Sequence, residues 1–386
     1  MKIVIAPQSF KGSLSAHKVA DAMARGICRV LSNVELVKVP MADGGEGTVD
    51  VLVSATGGSF RYNEVTGPLG EKVTAKWGIL GDGTTAVIEM AAASGITLVK
   101  PDRLDPMVAT TYGTGELIKA ALEAGCHHLI IGIGGSATND GGAGMAQALG
   151  VSLLDEEGNE LLLGGAELLR LSRIDTSGLD TRLVTCRVTV AIDVTNPLYG
   201  DQGASWIYGP QKGATEEMCR QLDETLEHYA TIIKRDLDVD VGNIPGGGAA
   251  GGLGAGLVAF LGAKLEPGID IVCEAVGLSE HLKGANIVFT GEGRIDAQTM
   301  FGKTIAGVAA KAQALGVPMI AIAGEINLSS EELARHGIDI ALSLVSDSVS
   351  PVESIANASQ LITEAAERAL RLAIDKPSTS LESPEA

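Results

Sequence analysis

Short apolar runs alternate with amphipathic stretches along most of the chain. Residues 3–6, Ile-Val-Ile-Ala, form such a run, the pattern of a strand buried on both faces. Ser15 offers an N-cap to a helix whose apolar positions Val19, Met23, Ile27 and Val30 recur every three or four residues. Residues 34–39 read as the next strand. A glycine-rich turn from Asp43 to Gly47 then leads into a helix over 48–56, stopped by Gly57 and Gly58. After the turn 67–70 the texture changes. Val73, Ala75, Trp77 and Ile79 alternate with polar residues or glycine, and a second apolar run, 86–90, follows with no room for a helix. That spacing predicts an antiparallel pair.

Further along, a helix is predicted over 114–124 and buried strands over 129–133 and 188–192. A polar helix over 216–235 and a small-residue helix over 255–261 follow, the latter opened by the glycine run that begins at Gly246. The strand–helix rhythm then returns, with strands over 287–290, 319–323 and 338–344 and helices over 303–315 and 352–374. The simplest partition joins both ends of the chain, 1–60 and 285–376, in one discontinuous α/β domain. An α/β domain with a mixed sheet is inserted over 61–284, and 377–386 form a polar, flexible tail. Two chain crossings favour a hinge with a cleft.

Composition narrows the function. At 386 residues the length suits two domains, and 45% hydrophobic residues suffice for their cores. Aromatics are 3% against 50 glycines, so the cores are aliphatic and backbone must approach closely at many points. A formal net charge of −19 disfavours nucleic acid or an anionic membrane as partner. Five scattered cysteines without a CxxC pair indicate reduced thiols in a cytoplasmic protein. The first residues lack the pattern of a signal peptide, and no run is both long and apolar enough to span a bilayer. The expected partner is a small molecule, bound by a monomer or small homo-oligomer.

Several segments share one design, in which a strand runs into a loop of Gly, Ser, Thr and Asp that opens a helix. The loop 133–142 is the best example: glycines admit phosphate oxygens, Ser136 and Thr138 supply hydroxyls, and Asp140 a carboxylate for a cation. A tight turn with a capped helix has the same pattern. There is no GxxxxGK[ST] segment and no dinucleotide fingerprint with its following acid. Asp43, Asp140, Asp193 and Asp296 sit at strand ends or in glycine-rich turns. Carboxylates so placed suit Mg²⁺, or a base that deprotonates an alcohol, as well as an N-cap or Asx-turn. Glu89 ends an apolar run and needs a partner if buried. Lys11, Lys212, Arg294 and Lys303 are the cations nearest such turns, suited to a substrate carboxylate or a transferring phosphoryl group. The six histidines lack zinc-site spacing, and no GxSxG elbow is present. Phosphoryl transfer fits these residues best, with the acceptor unnamed.

Taken in order, these motifs resemble the type I glycerate kinases. The series runs from Ile3-Val-Ile-Ala-Pro and Ser9-Phe-Lys-Gly-Ser through Ala42-Asp-Gly-Gly-Glu-Gly-Thr, Glu89-Met-Ala-Ala-Ala-Ser-Gly and Tyr112-Gly-Thr-Gly-Glu-Leu. It continues with Gly132-Ile-Gly-Gly-Ser-Ala-Thr-Asn-Asp-Gly-Gly, Asp193-Val-Thr-Asn-Pro-Leu, Gly209-Pro-Gln-Lys-Gly-Ala, Gly246-Gly-Gly-Ala-Ala-Gly-Gly and Thr290-Gly-Glu-Gly-Arg-Ile-Asp-Ala-Gln-Thr. The resemblance implies a Rossmann-like parallel-sheet domain interrupted by the inserted domain, with the active-site cleft between them. It also implies ATP-dependent phosphorylation of D-glycerate with Mg²⁺, typically giving 2-phosphoglycerate. On that basis Asp193, then Asp43, is expected as the base and Lys11 as a catalytic cation. Ser9, Lys11, Arg294 and Gln298 are expected to hold the substrate. Gly134, Gly135, Ser136, Thr138, Asn139, Gly141 and Lys303 are expected to bind ATP, and Asp140 and Asp296 to bind the metal. One position departs from the family: the first motif usually carries Asp where this chain has Gln8. Two alternatives fit less well, a non-catalytic sensor of an organic acid or nucleotide and a dehydrogenase. A third, a kinase for a neighbouring hydroxy acid such as tartronate or erythronate, is barely addressed by the sequence.

Overall fold

The structure, a computed structural model, describes residues 1–300, 303–346 and 349–375, apart from the side chains of Gln298 and Met300. The expected tail over 377–386 lies outside the described residues. In chain order the strands are β1 (Lys2–Ile5), β2 (Glu35–Lys38), β3 (Ser59–Thr66), β4 (Lys72–Ile79), β5 (Thr85–Glu89), β6 (His128–Gly132), β7 (Ser152–Leu154), β8 (Arg173–Asp175), β9 (Arg187–Ile192), β10 (Lys264–Pro267), β11 (Ile287–Ile295), β12 (Met319–Ile326) and β13 (Ile340–Ser343). They divide between two compact units, Met1–Ala42 with Cys273–Ala386, and Asp43–Val272.

The first unit is a five-stranded, wholly parallel sheet in the order β13-β12-β11-β1-β2. From β1 the chain winds outward to β2. When it returns, β11 pairs on the other side of β1 and winding proceeds to β12 and β13. The β1/β11 boundary is therefore a topological switch point, where doubly wound sheets take their ligands at the carboxyl ends of the strands. The helix Ala16–Val30 starts where the sequence places it, with the Ser15 side chain accepting from Lys18 N–H. Its apolar stripe, Val19, Met23 and Ile27, is fully buried with Ile3, Ile5 and Ile362. Burial of each such side chain is worth about 1.5–3 kcal/mol. Against it packs the helix Ala358–Asp375, tied across by Thr363 Oγ1 donating to the Ala22 carbonyl at 3.0 Å. The helices approach closely at Gly26, where a Cβ would run into the Thr363 carbonyl oxygen. The single helix expected over 352–374 is two, Pro351–Ala356 and Ala358–Asp375. Ser350 and Glu353 form a capping box for the first, and Asn357 leaves helical geometry at φ −108°, ψ 17°.

The second unit carries a six-stranded mixed sheet, β10-β9-β6-β5-β4-β3. Its first four strands are mutually parallel, and β4 and β3 are antiparallel additions. The predicted β4–β5 pair is present, in the register Gly78↔Val87. β3, β10 and the small β7–β8 hairpin are not legible in the hydrophobic pattern. β3 is an edge strand with only Val65 buried, so it shows no apolar alternation, and the others are only three or four residues long. The helix Thr48–Thr56 belongs to this unit, since Val49, Val51, Leu52 and Val53 are buried and Val53 packs over Gly78 of β4. The joins accordingly fall at 42/43 and 272/273 rather than at the expected 60/61 and 284/285. A strand–loop–helix pattern in the sequence does not reveal which sheet its helix will cover.

Candidate active site

The carboxyl ends of the four parallel strands in the second unit gather several of the candidate residues. The registers Glu89↔Gly132, Gly132↔Ala191 and Ile192↔Pro267 set four features side by side. These are Glu89, the loop beginning at Ile133, Asp193 and Gly268. Across the strand ends lies the turn that begins at Asp43. Gly44 takes φ +93°, and a Cβ there would stand 2.7 Å from Ala191 Cβ. A Cβ at Gly132 would run into the Gly44 carbonyl, one at Gly134 would come within 3.1 Å of Gly45 Cα, and one at Gly268 would run into the Asp43 carbonyl. Missing side chains at four separated glycines thus let the turn lie directly on the sheet. Asp43 is buried there, over β9, the strand that delivers the exposed Asp193. Glu89 has the partner its burial requires: its carboxylate accepts Val49 N–H at 2.7 Å and a further N–H from Gly47, at the start of the helix Thr48–Thr56. Burial nevertheless holds its pKa above the usual carboxylate range.

The Asp193 loop brings two residues that sequence reasoning missed. Tyr208 donates to Asn196 Oδ1 at 2.6 Å, and Asn196 Nδ2 donates to the Gln202 carbonyl at 2.8 Å. Burial, with Asp193 nearby, pushes the Tyr208 phenol up to about 12, so it stays protonated. Asn196 lies within the motif that begins at Asp193, and Tyr208 directly precedes the one that begins at Gly209; these motifs were the available signal.

The loop 133–142 divides into two parts. Gly135 is exposed at φ +77° and Gly134 half-buried, while Ser136 is buried and pairs with Gly95. Beyond them the chain turns inward. Thr138, Asn139 and Asp140 have no exposed surface, and Gly141 is covered by the Tyr229 ring. Asp140 accepts from Thr111 N–H and Thr111 Oγ1, both at 2.8 Å, and from the N–H groups of Gly142 and Gly144 at 3.2 and 3.3 Å. Those donors open the short helix Ala143–Ala148, so its positive end is already neutralised from within. Thr138, Asn139 and Gly141, expected to contact ATP, thus lie in the interior, and Asp140, expected to bind metal, is buried and organises the loop. Gly134, Gly135 and Ser136 remain at the strand end.

The first unit holds the remaining candidates at its switch point. Gln8 is buried and donates its N–H to the Gly291 carbonyl at 2.8 Å, placing the loop after β1 against β11. Ser9 is half-buried and Lys11 exposed, with a Cβ at Gly293 falling 3.7 Å from Lys11 N. Arg294 is exposed, its Nε 3.5 Å from Asp296 and 3.9 Å from Glu325. Asp296 accepts Thr299 N–H at 3.2 Å and caps the short turn Ala297–Met300. The Gln298 side chain lies outside the described residues. Lys303 is half-buried at the N-cap of the helix Thr304–Ala314.

The expected Mg²⁺ ligands do not fit the metal. Asp140 is sealed and already accepts four hydrogen bonds, and Asp296 is committed to its cap beside the Arg294 guanidinium. Among the described residues no group of three or more His, Cys, Asp or Glu stands ready for a metal, and no helix is long and apolar enough to cross a membrane.

Residues 3–374 match the model of the glycerate kinase family. The chain is 56% identical to the glycerate 2-kinase of Escherichia coli K12, over 89% of this chain and 91% of that protein. It is 54% identical to the glycerate kinase of Bacillus subtilis 168, over 92% of each. A crystal structure from Salmonella typhimurium LT2, described as a candidate glycerate kinase 2, superposes with a TM-score of 0.86 at 51% identity, covering 97% of this chain and 98% of that one. With the parallel and mixed sheets and the glycine-set turn already described, these matches identify the chain as a member of the glycerate kinase family.

Proposed function

We propose that this protein transfers the γ-phosphoryl group of ATP to D-glycerate, giving 2-phosphoglycerate and ADP in the cytoplasm. The observation that carries the proposal is the Asp43 turn laid by four glycines on the ends of β6 and β9, over the strand that ends at Asp193. Asp193, with Asp43 as the second choice, takes the proton from the glycerate hydroxyl. The freed oxygen attacks the γ-phosphorus, the bond to the β-phosphate oxygen breaks, and ADP departs with that electron pair. Lys11 and Arg294 hold the substrate carboxylate, with Ser9 and Gln298 beside it. Gly134, Gly135 and Ser136 receive phosphate oxygens, and Lys303 supplies a further cation. Mg²⁺, when bound together with ATP, would offset the charge of the phosphates. The printed name of the E. coli relative, glycerate 2-kinase, supports attack from the 2-hydroxyl. Asp193→Asn tests the base. A general base is worth about 10²–10⁴-fold, so kcat should fall at least about a hundredfold with KM for glycerate little changed. Near-normal kcat would transfer the role to Asp43.

A further inference from the structure

We propose that Lys212 is a positioning residue for phosphoryl transfer, holding the loop 133–142 in place through the carbonyl oxygen of Thr138. This rests on the proposal that the outer part of that loop receives ATP phosphates.

Lys212 is 1% exposed, which is rare for a lysine, and so it cannot touch a substrate in solution. Its Nζ donates to Thr138 O at 2.6 Å, a contact spanning 74 residues of chain. The lysine is delivered by a tight turn in which Lys212 N–H donates to the Gly209 carbonyl at 2.9 Å. Gly213 follows at φ +92°, pressed on Leu104.

The same Thr138 carbonyl is closed on its other side by Gly251, where a Cβ would run into it. Gly141 N–H donates to the Gly251 carbonyl at 3.0 Å. The inner half of the loop is thus held from three directions: Lys212, the glycine run 246–252, and the Asp140 carboxylate gathering Thr111, Gly142 and Gly144. Among the described residues, its outer half, Gly134 to Ser136, is held by backbone bonds to the segment 94–96 and by the close approach of Gly134 to Gly45. Its two glycines add little stiffness of their own, so its position also depends on the anchored half.

An apolar side chain would fill this interior more cheaply than a lysine. Burial depresses the Lys212 ammonium to about 7, and nearby Asp140 opposes that shift. A group kept at such cost, and aimed at one carbonyl in the loop that leads to the strand end, is explained by what that carbonyl positions.

The test uses the full chain with Lys212→Met and the more conservative Lys212→Gln. It measures kcat, KM for ATP and for D-glycerate, and amide hydrogen exchange across 128–148. Lys212→Met should raise KM for ATP about tenfold or more while KM for glycerate stays within about twofold, the scale expected of a displaced binding loop. Amides of 134–142 should exchange faster while β6 and β9 remain protected. Lys212→Gln, which keeps a neutral N–H donor, should raise KM for ATP and loop exchange less than Lys212→Met does, and it carries the test if Lys212→Met fails to fold. Wild-type KM for ATP with unchanged loop exchange would overturn the proposal. So would equal changes in both KM values with exchange raised throughout the sheet, or a failure of both Lys212 variants to fold. If the wild type itself shows no glycerate-dependent turnover, the functional proposal fails first, and loop exchange still decides whether Lys212 holds the loop.

Discussion

Gly44→Ala tests how the Asp43 turn is seated. The new Cβ would stand 2.7 Å from Ala191 Cβ and 3.0 Å from Ala191 O. Carbon atoms pack at about 3.5–4.0 Å, so the turn or the end of β9 must yield by roughly 1 Å. Gly44 also sits at φ +93°, where an alanine costs about 1–2 kcal/mol. Overpacking adds about 1–3 kcal/mol. Together the second unit should lose about 2–5 kcal/mol, and its melting temperature should drop by several degrees. The catalytic effect is separable. A displacement of about 1 Å at a catalytic carboxylate costs about a hundredfold, which is about 2.7 kcal/mol of barrier. Measured well below the melting transition, ADP release with D-glycerate and ATP should show kcat reduced by about that factor. A variant with kcat within about threefold of wild type and unchanged melting would refute the seating of the turn on Ala191.

Other outcomes follow from the same geometry. The Lys212 pKa, lowered in the folded state to about 7 from 10.5, means that the unfolded chain binds the extra proton over that window, so stability rises with pH through it. The difference in urea unfolding free energy between wild type and Lys212→Met should therefore shift in favour of wild type by about 2 kcal/mol from pH 7 to 9, and a flat difference would mean Lys212 is not buried as described. Gly26→Ala should destabilise the first unit by about 1–3 kcal/mol, because its Cβ meets the Thr363 carbonyl and lies 2.9 Å from Ala366 Cβ. Kinetic constants at low temperature should stay unchanged, since the contact joins two helices and touches none of the candidate site residues. Gln8→Asp should alter kcat by less than about tenfold if Asp193 is the base. A larger gain would place that role at position 8.

Much of the fold was legible because its strands are buried on both faces and its helices carry clear caps. Val19, Met23 and Ile27 mark one face of a helix, and Ser15 its start, with no tertiary information needed. β3 was not legible because an edge strand with a single buried residue, Val65, has no apolar alternation to read. The carboxylates were found from their places at strand ends, yet their roles were not. Asp140 and Asp193 look alike in sequence, each following a buried strand. Only the packing shows Asp140 sealed under Thr111 and Gly144, while Asp193 stays exposed. The glycines were the deeper signal. Gly44, Gly132, Gly134 and Gly268 are far apart in the chain, and only the fold reveals that they make room for one turn. Lys212 appeared as one more cation near a turn, because burial cannot be read from a single lysine.

The most direct measurement is ADP release by the purified protein with D-glycerate, ATP and Mg²⁺, with the product identified by phosphorus NMR. Glycerate-dependent turnover yielding 2-phosphoglycerate is the predicted result. Formation of 3-phosphoglycerate would contradict the regiochemistry while keeping the kinase, and no glycerate-dependent turnover would contradict the proposed function itself.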